Sequence, residues 1–171
     1  HLPIFFDNTD HEQGKYYTTS YNRSLKSIEA AKKKYDTLAV FFDIHRDAMG
    51  SSGIGDTVTV DGKPCAKIMF VVGTGEGKTG NGFREKPNWQ SNKQFAEAIV
   101  AELNKIAPGI ARGVRVKTGR YNQHVSDHAL AIEMGHNQNT LEEVLNSVPY
   151  LAQAIATVAT RDLDIQPVSV P

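Results

Sequence analysis

The chain has 171 residues, an apolar fraction of 40%, and 19 basic and 19 acidic residues. These totals predict one globular domain with one core, and the formal net charge of zero gives no reason to expect a nucleic-acid partner. The single cysteine, Cys65, excludes an internal disulfide and a cysteine-rich zinc site. No apolar run is long enough to span a bilayer, and the first residues lack a signal-peptide pattern.

The first half of the chain predicts strands around one helix. Its start, HLPIFFDNTD, reads as a strand already under way, which is typical of a piece of a longer protein. Apolar residues at helical spacing, followed by three lysines, predict the helix. The predicted elements are a strand at Leu2 to Phe6, a helix at Tyr21 to Tyr35, a buried strand at Leu38 to Ile44, and strands at Thr57 to Val60 and Ala66 to Val72.

The second half predicts alternating helices and strands after a glycine-rich loop at Gly73 to Gly82. We expect a helix at Ser91 to Ala107 and strands at Val114 to Lys117 and Ala129 to Met134. A last helix is expected from Thr140 to about Val158, with a kink or break at Pro149. The alternation predicts an α/β fold, with a mostly parallel sheet flanked by helices. Residues 1–160 form the expected domain, and residues 161–171 form a loosely held tail.

Two stretches of the sequence match nucleotide-binding or kinase motifs only in part, and neither match predicts such a site. The run GTGEGKTG contains the letters of a dinucleotide fingerprint and the end of a P-loop. Val72 occupies the position at which a P-loop requires glycine. Both the P-loop and the dinucleotide fingerprint also require a helix that begins directly after the glycines, and none is predicted here. His45-Arg46-Asp47 copies a kinase catalytic loop, but Ser52 replaces the metal-binding asparagine of that loop. We therefore predict a flexible loop and no kinase.

Ionisable residues follow or interrupt two of the buried strands. His45 comes directly after the strand that ends at Ile44, and Glu133 lies inside the apolar run Ala129 to Met134. A buried carboxylate is costly unless it is paired, protonated or near a metal. Glu133 is either tied to an arginine such as Arg46 or Arg120, or part of a catalytic site.

A histidine and a glutamate at adjacent strand ends suit a catalytic zinc, because the imidazole can bind the ion and the carboxylate can move protons. His124, His128 and His136 crowd the same region, and each is expected to be a surface or supporting residue. Asp47 is expected to hold the ring N–H of His45 or to hold Arg46, or else to cap the following loop.

The motifs DIHRDA, RYNQ, IEMG and NTLEE, in that order, resemble the stage II sporulation protein P family over about Leu2 to Val158. The resemblance implies an amidase-like three-layer sandwich and a zinc-dependent peptidoglycan hydrolase related to N-acetylmuramoyl-L-alanine amidases. His45 would bind zinc and Glu133 would be the general base and acid. The resemblance also implies cross-link cleavage, a membrane-anchored parent protein outside the cytoplasm at the forespore septum, and a sporulation lytic transglycosylase as partner.

The chain departs from the family pattern at its start. The family's first strand, which ends in a His-x-His-Thr motif followed by Glu and supplies further zinc ligands, has no counterpart before Leu2. His124 and His136 stand where the family usually has Asp and Gly, so they either tune the site or do nothing. The domain is thus expected to be incomplete at its N-terminus. Alternatives are a non-catalytic wall- or partner-binding module with a degenerate metal site, and a metal-dependent peptidase.

Overall fold

A computed structural model describes residues 2–12, 14, 16–48, 56–77 and 83–167 of the protein. The helices and strands within these residues are α1 (Ser20–Lys34), β1 (Phe41–Asp47), β2 (Thr57–Val60), β3 (Lys63–Ala66), β4 (Ile68–Gly73), α2 (Trp89–Ile106), β5 (Ala111–Lys117), β6 (Ala129–His136) and α3 (Leu141–Asp162). Helices and strands alternate along much of the chain, which is the pattern of an α/β fold.

Four strands form the main sheet in the order β1-β6-β4-β5, and β2 and β3 form a separate hairpin. β1 pairs with β6 and β4 with β5 in parallel, whereas β4 and β6 are antiparallel. The predicted, mostly parallel sheet is therefore confirmed. Because β4 and β5 run opposite to β1 and β6, the carboxyl ends of β1 and β6 lie at the same edge as the amino ends of the other two strands.

One face of the sheet carries the main hydrophobic core. Alternate residues of β4 and β6, including Phe70 and Ile132, are fully buried there. They belong to one cluster with Phe95 and Ile99 of α2 and with Leu151 of α3. The apolar side chains at every second position of these strands thus pack against the apolar faces of two helices.

The second face carries a smaller cluster of Met69, Val71 and Ala131, against which Tyr121 packs. α1 lies on this side, held by hydrogen bonds from Asn122 to Tyr21 and Ser24. With α2 and α3 on the first face, the molecule is a three-layer α/β sandwich, as predicted.

The strand predicted as buried at Leu38 to Ile44 is β1, which contains His45 and buries none of its residues, because it lies at the edge of the sheet among the described residues.

Three further predictions about single elements need correction. Leu2 to Phe6 is not a strand, since its backbone pairs with no neighbour within the described residues and Ile4 and Phe6 are exposed. The strand predicted at Ala66 to Val72 is instead the end of β3 followed by β4. α3 continues through Pro149, because burial of Leu151 and later residues against the core offsets the missing hydrogen bond.

The glycine-rich loop is explained by close backbone packing. Amide groups of Thr74, Gly75 and Gly77 donate to carbonyls between Lys117 and Gly119. A Cβ added to Gly73 would collide with the carbonyl of Gly119. Small residues are thus needed where two chain segments touch. Residues 78–82 of this loop, and 168–171 of the predicted tail, lie outside the described residues.

No helix within the described ranges is long and apolar enough to cross a membrane.

Candidate functional site

His45 and Glu133 lie side by side on neighbouring strands. In the parallel ladder of β1 and β6, residue 45 is the register partner of residue 133. Directly paired residues of a sheet point to the same face, so both side chains extend on the face of Met69 and Val71, away from α2 and α3. The two residues thus lie on adjacent strands of one sheet, as expected from the sequence.

The imidazole of His45 is oriented by a carboxylate two residues earlier on its own strand. Its Nε2 lies 2.8 Å from Oδ1 of Asp43. This hydrogen bond is the main reason that the pKa of His45 is raised, while burial opposes it and Glu133 adds attraction. The contact uses Nε2, so Nδ1 is the nitrogen that a metal ion would take.

Glu133 is placed where its charge is poorly solvated. Its Oε2 is buried and has no hydrogen-bond partner within the described part of the chain. Burial raises the pKa of Glu133, and Asp47 raises it further, whereas His45 and Lys117 lower it. A carboxylate whose pKa is moved toward neutrality can both accept and return a proton, which is the property of a general base and acid.

Asp47 takes a different partner from those predicted. Its Oδ2 accepts a hydrogen bond from Nη1 of Arg112 at 3.1 Å, and both side chains are mostly buried. The ring of His45 is held by Asp43 instead, because residues two apart on a strand share a face. Arg46 lies beside α3, in a groove with Ile44.

Arg112 is the residue of this region that sequence reasoning missed. The β4–β5 ladder shifts register between Ile68 and Met69, so Arg112 is an extra residue in β5. Gly113 follows it with a φ of +92°. A bulge of this kind redirects a side chain. The Arg-Gly pair at the start of a predicted strand was the available signal.

His124, His128 and His136 do not join this pair. His124 is buried beside Arg120, with Nε2 lying 3.7 Å from Oε2 of Glu85, and burial lowers its pKa. The backbone N–H groups of Asp56 and Gln138 point at the two ring nitrogens of His136. His128 packs edge-on against Phe95. His128 and His136 thus have structural partners of their own, whereas Nδ1 of His124 is buried without a hydrogen-bond partner among the described residues.

Beside the pair, a cavity of about 180 Å³ extends under α1 from Asp43 to Tyr121. Tyr121 and Asn122 have positive φ angles of 48° and 53°. The side chain of Gln123 holds this turn, accepting from Gly73 N and donating to Val71 O, each at 2.8 Å. The RYNQ motif therefore builds one wall of this cavity.

The described side chains that could bind a metal ion do not make a complete zinc site. A catalytic zinc needs three protein ligands. Within the described residues, no group of three or more His, Cys, Asp or Glu side chains is arranged to hold a metal ion. His45 can supply one ligand, and the neighbouring carboxylates do not complete the set.

Comparison with known proteins identifies the family to which the sequence is similar. The sequence model of stage II sporulation protein P matches residues 1–156. The chain is 31% identical over 138 residues to stage II sporulation protein P of Bacillus subtilis strain 168, a match that covers 78% of this chain and 31% of that relative. The chain thus spans about a third of the length of this relative. No solved structure matches it.

Proposed function

The chain belongs to the stage II sporulation protein P family, and we propose that it is the part of a sporulation peptidoglycan hydrolase that carries the general base. The bond to be cut is the amide between the lactyl group of N-acetylmuramic acid and L-alanine of the stem peptide. Cleavage of peptide cross-links is a second proposed activity of the whole protein.

The pairing of Glu133 with His45 is the observation that carries this proposal. The two ionisable groups share a strand register and a sheet face, and Oε2 of Glu133 has no hydrogen-bond partner within the described residues. Glu133 accepts a proton from the attacking water and returns it to the departing amine. Its poor solvation keeps the pKa high enough for the second step. Asp43 fixes the ring of His45 beside it.

Zinc is the proposed cofactor, with His45 as one ligand. Since the described residues do not form a three-ligand group, the remaining ligands must come from elsewhere in the protein.

We also propose the substrate, the partner protein and the location of this protein from its family. The substrate is peptidoglycan, both its glycan strands and its stem peptides. The site of action is outside the cytoplasm at the forespore septum, with a membrane-anchored parent protein and a sporulation lytic transglycosylase as partner.

A second candidate function is a binding module that keeps the fold without catalysis. The incomplete donor set of the described residues favours it. Such a module would bind sacculi and release nothing from them. The two candidates therefore differ in their products rather than in their affinity for the wall.

The proposal is tested with purified sacculi and a longer form of the protein. We expect release of peptides with a new N-terminal L-alanine, and about one zinc ion per molecule. His45→Ala should lose both the metal and the activity, whereas the control His128→Ala, on the opposite sheet face, should keep both. Binding of sacculi by the parent protein without product release would support the binding module instead.

A further inference from the structure

The guanidinium group of Arg120 is buried without a carboxylate partner. Arg120 is 9% exposed, and an arginine is rarely this buried unless it is paired. All 19 aspartates and glutamates of the chain lie among the described residues, and none of them forms an ion pair with Arg120 there. Within the described residues, its side chain donates from Nη1 to the carbonyl of Glu85 at 3.5 Å, a long and weak hydrogen bond. An arginine has five N–H donors, so most of this capacity is unused.

His124 adds a second unsatisfied polar group next to Arg120. Its side chain is 6% exposed, and its Nδ1 is buried without a hydrogen-bond partner among the described residues. Burial lowers the pKa of His124, and the charge of Arg120 lowers it further, so the ring is neutral at about pH 7 and carries one N–H. A buried polar atom without a partner costs free energy, which a bound group that supplies the partner can recover.

Phe83 and Glu85 surround the entrance to these two side chains. The guanidinium carbon of Arg120 lies 3.8 Å from the centre of the Phe83 ring, so the ring covers one face of the guanidinium and leaves its N–H edges free to donate in the plane. The nitrogens of Arg120 are not among the fully buried, unpaired side-chain atoms of the described ranges. The side chain of Glu85 is 80% exposed, with Oε2 lying 3.7 Å from Nε2 of His124, so it is loosely held.

We propose that Arg120 and His124 form a subsite for a carboxylate group of the stem peptide. The inference rests on the proposed function, because the substrate is taken from it. The carboxylate accepts hydrogen bonds from the guanidinium edge of Arg120 and from the one N–H of His124, and it displaces the exposed side chain of Glu85.

The charges around the subsite favour a carboxylate over a phosphate. Burial lowers the pKa of Arg120, and the nearby carboxylates of Glu85 and Glu29 oppose this shift. The same two carboxylates repel a dianion more strongly than a monoanion. A planar carboxylate also matches the fork of N–H groups that a guanidinium presents.

The cavity under α1 connects this subsite with the candidate catalytic pair. It extends from Asp43, which holds the ring of His45, to Tyr121, the neighbour of Arg120 in the sequence. A stem peptide whose scissile amide lies at Glu133 can therefore extend along the cavity and bring a later carboxylate to the subsite.

The subsite is remote from the open edge of the sheet at β1. A Cβ added to Gly75, directly after β4, would lie 3.9 Å from Cγ of Arg120, so Arg120 lies beside the end of β4. β6 separates β4 from β1. Strands are about 4.8 Å apart, so an element added beyond β1 would lie about 14 Å from β4.

The first test is a peptide titration of the 171-residue chain, followed by NMR of the Arg120 side-chain N–H and the His124 ring. The probe is a stem tripeptide that begins with L-alanine and has free carboxylates. The matched control is the same tripeptide with its carboxylates amidated. We expect the free-carboxylate probe to shift both side-chain signals, and the amidated peptide and inorganic phosphate to bind at least about tenfold more weakly.

Variants separate binding from a structural role. Arg120→Gln should weaken binding of the free-carboxylate probe by about tenfold or more, whereas Arg161→Gln, an exposed change at the end of α3, should leave it unchanged. Glu85→Gln removes the competing carboxylate at an exposed position and should tighten binding about two- to fivefold.

Replacing His124 with aspartate supplies Arg120 with an internal carboxylate. His124→Asp should therefore raise the melting temperature, measured by circular dichroism, and abolish binding of the free-carboxylate probe. A structural role alone does not predict that stability and affinity change in opposite directions.

The inference is overturned if free and amidated peptides bind equally, if phosphate binds more tightly than the peptide, if Arg120→Gln keeps the parental affinity, or if Glu85→Gln weakens binding. None of these results touches the hydrolase proposal, which is measured as product release from sacculi. A longer form that binds the free-carboxylate probe through Arg120 but releases nothing from sacculi would contradict the hydrolase and support the subsite.

Discussion

Glu133 and His45 owe their proximity to strand register rather than to sequence spacing. They lie far apart in the sequence, yet parallel pairing of β1 and β6 sets them opposite each other. The sequence placed His45 directly after one predicted strand and Glu133 inside another. It also suggested one shared site, since carboxyl ends of parallel strands meet at one edge.

The partners of these residues were harder to predict. Asp43 rather than Asp47 holds the His45 ring, and Asp47 binds Arg112. The contact between Asp43 and His45 follows from the two-residue repeat of a strand, so the sequence could have predicted it. The second contact depends on a bulge in β5, for which the Arg-Gly pair is the local signal, and on the order of the strands, which is not encoded locally.

Replacing Asp43 tests the orientation of His45. The hydrogen bond to Asp43 is the largest cause of the raised pKa of His45, so Asp43→Asn should lower that pKa. The measurement is an NMR titration of the histidine ring in metal-free protein. Asp47→Asn is the control and should change this pKa less, because Asp47 binds Arg112. Equal shifts in the two variants would contradict the assignment.

His124 should make the fold sensitive to acid. Burial lowers its pKa below that of the unfolded chain, which is about 6.5. The unfolded state therefore binds the proton more readily, and stability falls as the pH drops below that value. We expect His124→Gln to lose less stability than the parent between about pH 7.5 and pH 5.5, as measured by urea unfolding. An identical loss in both proteins would show that His124 does not contribute.

At the scale of elements, the helices differ in how firmly they are attached. α2 buries five residues, Asn92, Phe95, Ala96, Ile99 and Leu103, whereas α1 buries Ala31 alone. Both helices have an amphipathic sequence, so the sequence predicted both of them. Their unequal attachment depends on the layer each one joins, which only the tertiary structure shows.

Hydrogen exchange should separate these helices. Local opening costs least where few apolar groups are buried. Amides of α1 are therefore expected to exchange faster than those of α2 at neutral pH, as measured by mass spectrometry of peptic peptides. Asn122→Ala should accelerate exchange in α1 further, because Asn122 donates to Tyr21 and Ser24. Exchange in α1 as slow as in α2 would contradict this view.

The start of α3 is fixed by a capping box at Thr140, where the sequence predicted the helix to begin. The Thr140 hydroxyl accepts from Glu143 N at 3.2 Å, and the Glu143 carboxylate accepts from Thr140 N at 2.9 Å. Thr140→Ala should cost about 1 kcal/mol of unfolding free energy. Urea unfolding measures this, with Thr160→Ala near the other end of α3 as a comparison. An unchanged midpoint for Thr140→Ala would mean that the cap contributes nothing.

At the scale of the whole molecule, the α/β class and the layer order followed from alternating helices and strands. The N-terminal strand did not form, because a strand needs a neighbour to pair with and Leu2 to Phe6 has none among the described residues. For the metal site, the family resemblance predicted that the further zinc ligands of the family's first strand have no counterpart before Leu2. Within the described ranges, the fold brings Glu133 beside the imidazole of His45, without a three-ligand group.

The most direct test of the account is the hydrolysis rate of a longer form of the protein carrying Glu133→Gln. Glutamine has nearly the same shape, but it cannot accept the proton from the attacking water or return it to the amine. The rate at which new N-terminal L-alanine appears from purified sacculi should fall by about 10²–10⁴-fold, with zinc content and sacculus binding unchanged. Glu142→Gln, an exposed change in the first turn of α3, should keep the parental rate. A Glu133→Gln protein that cleaves at the parental rate would contradict the assignment of Glu133 as the catalytic base.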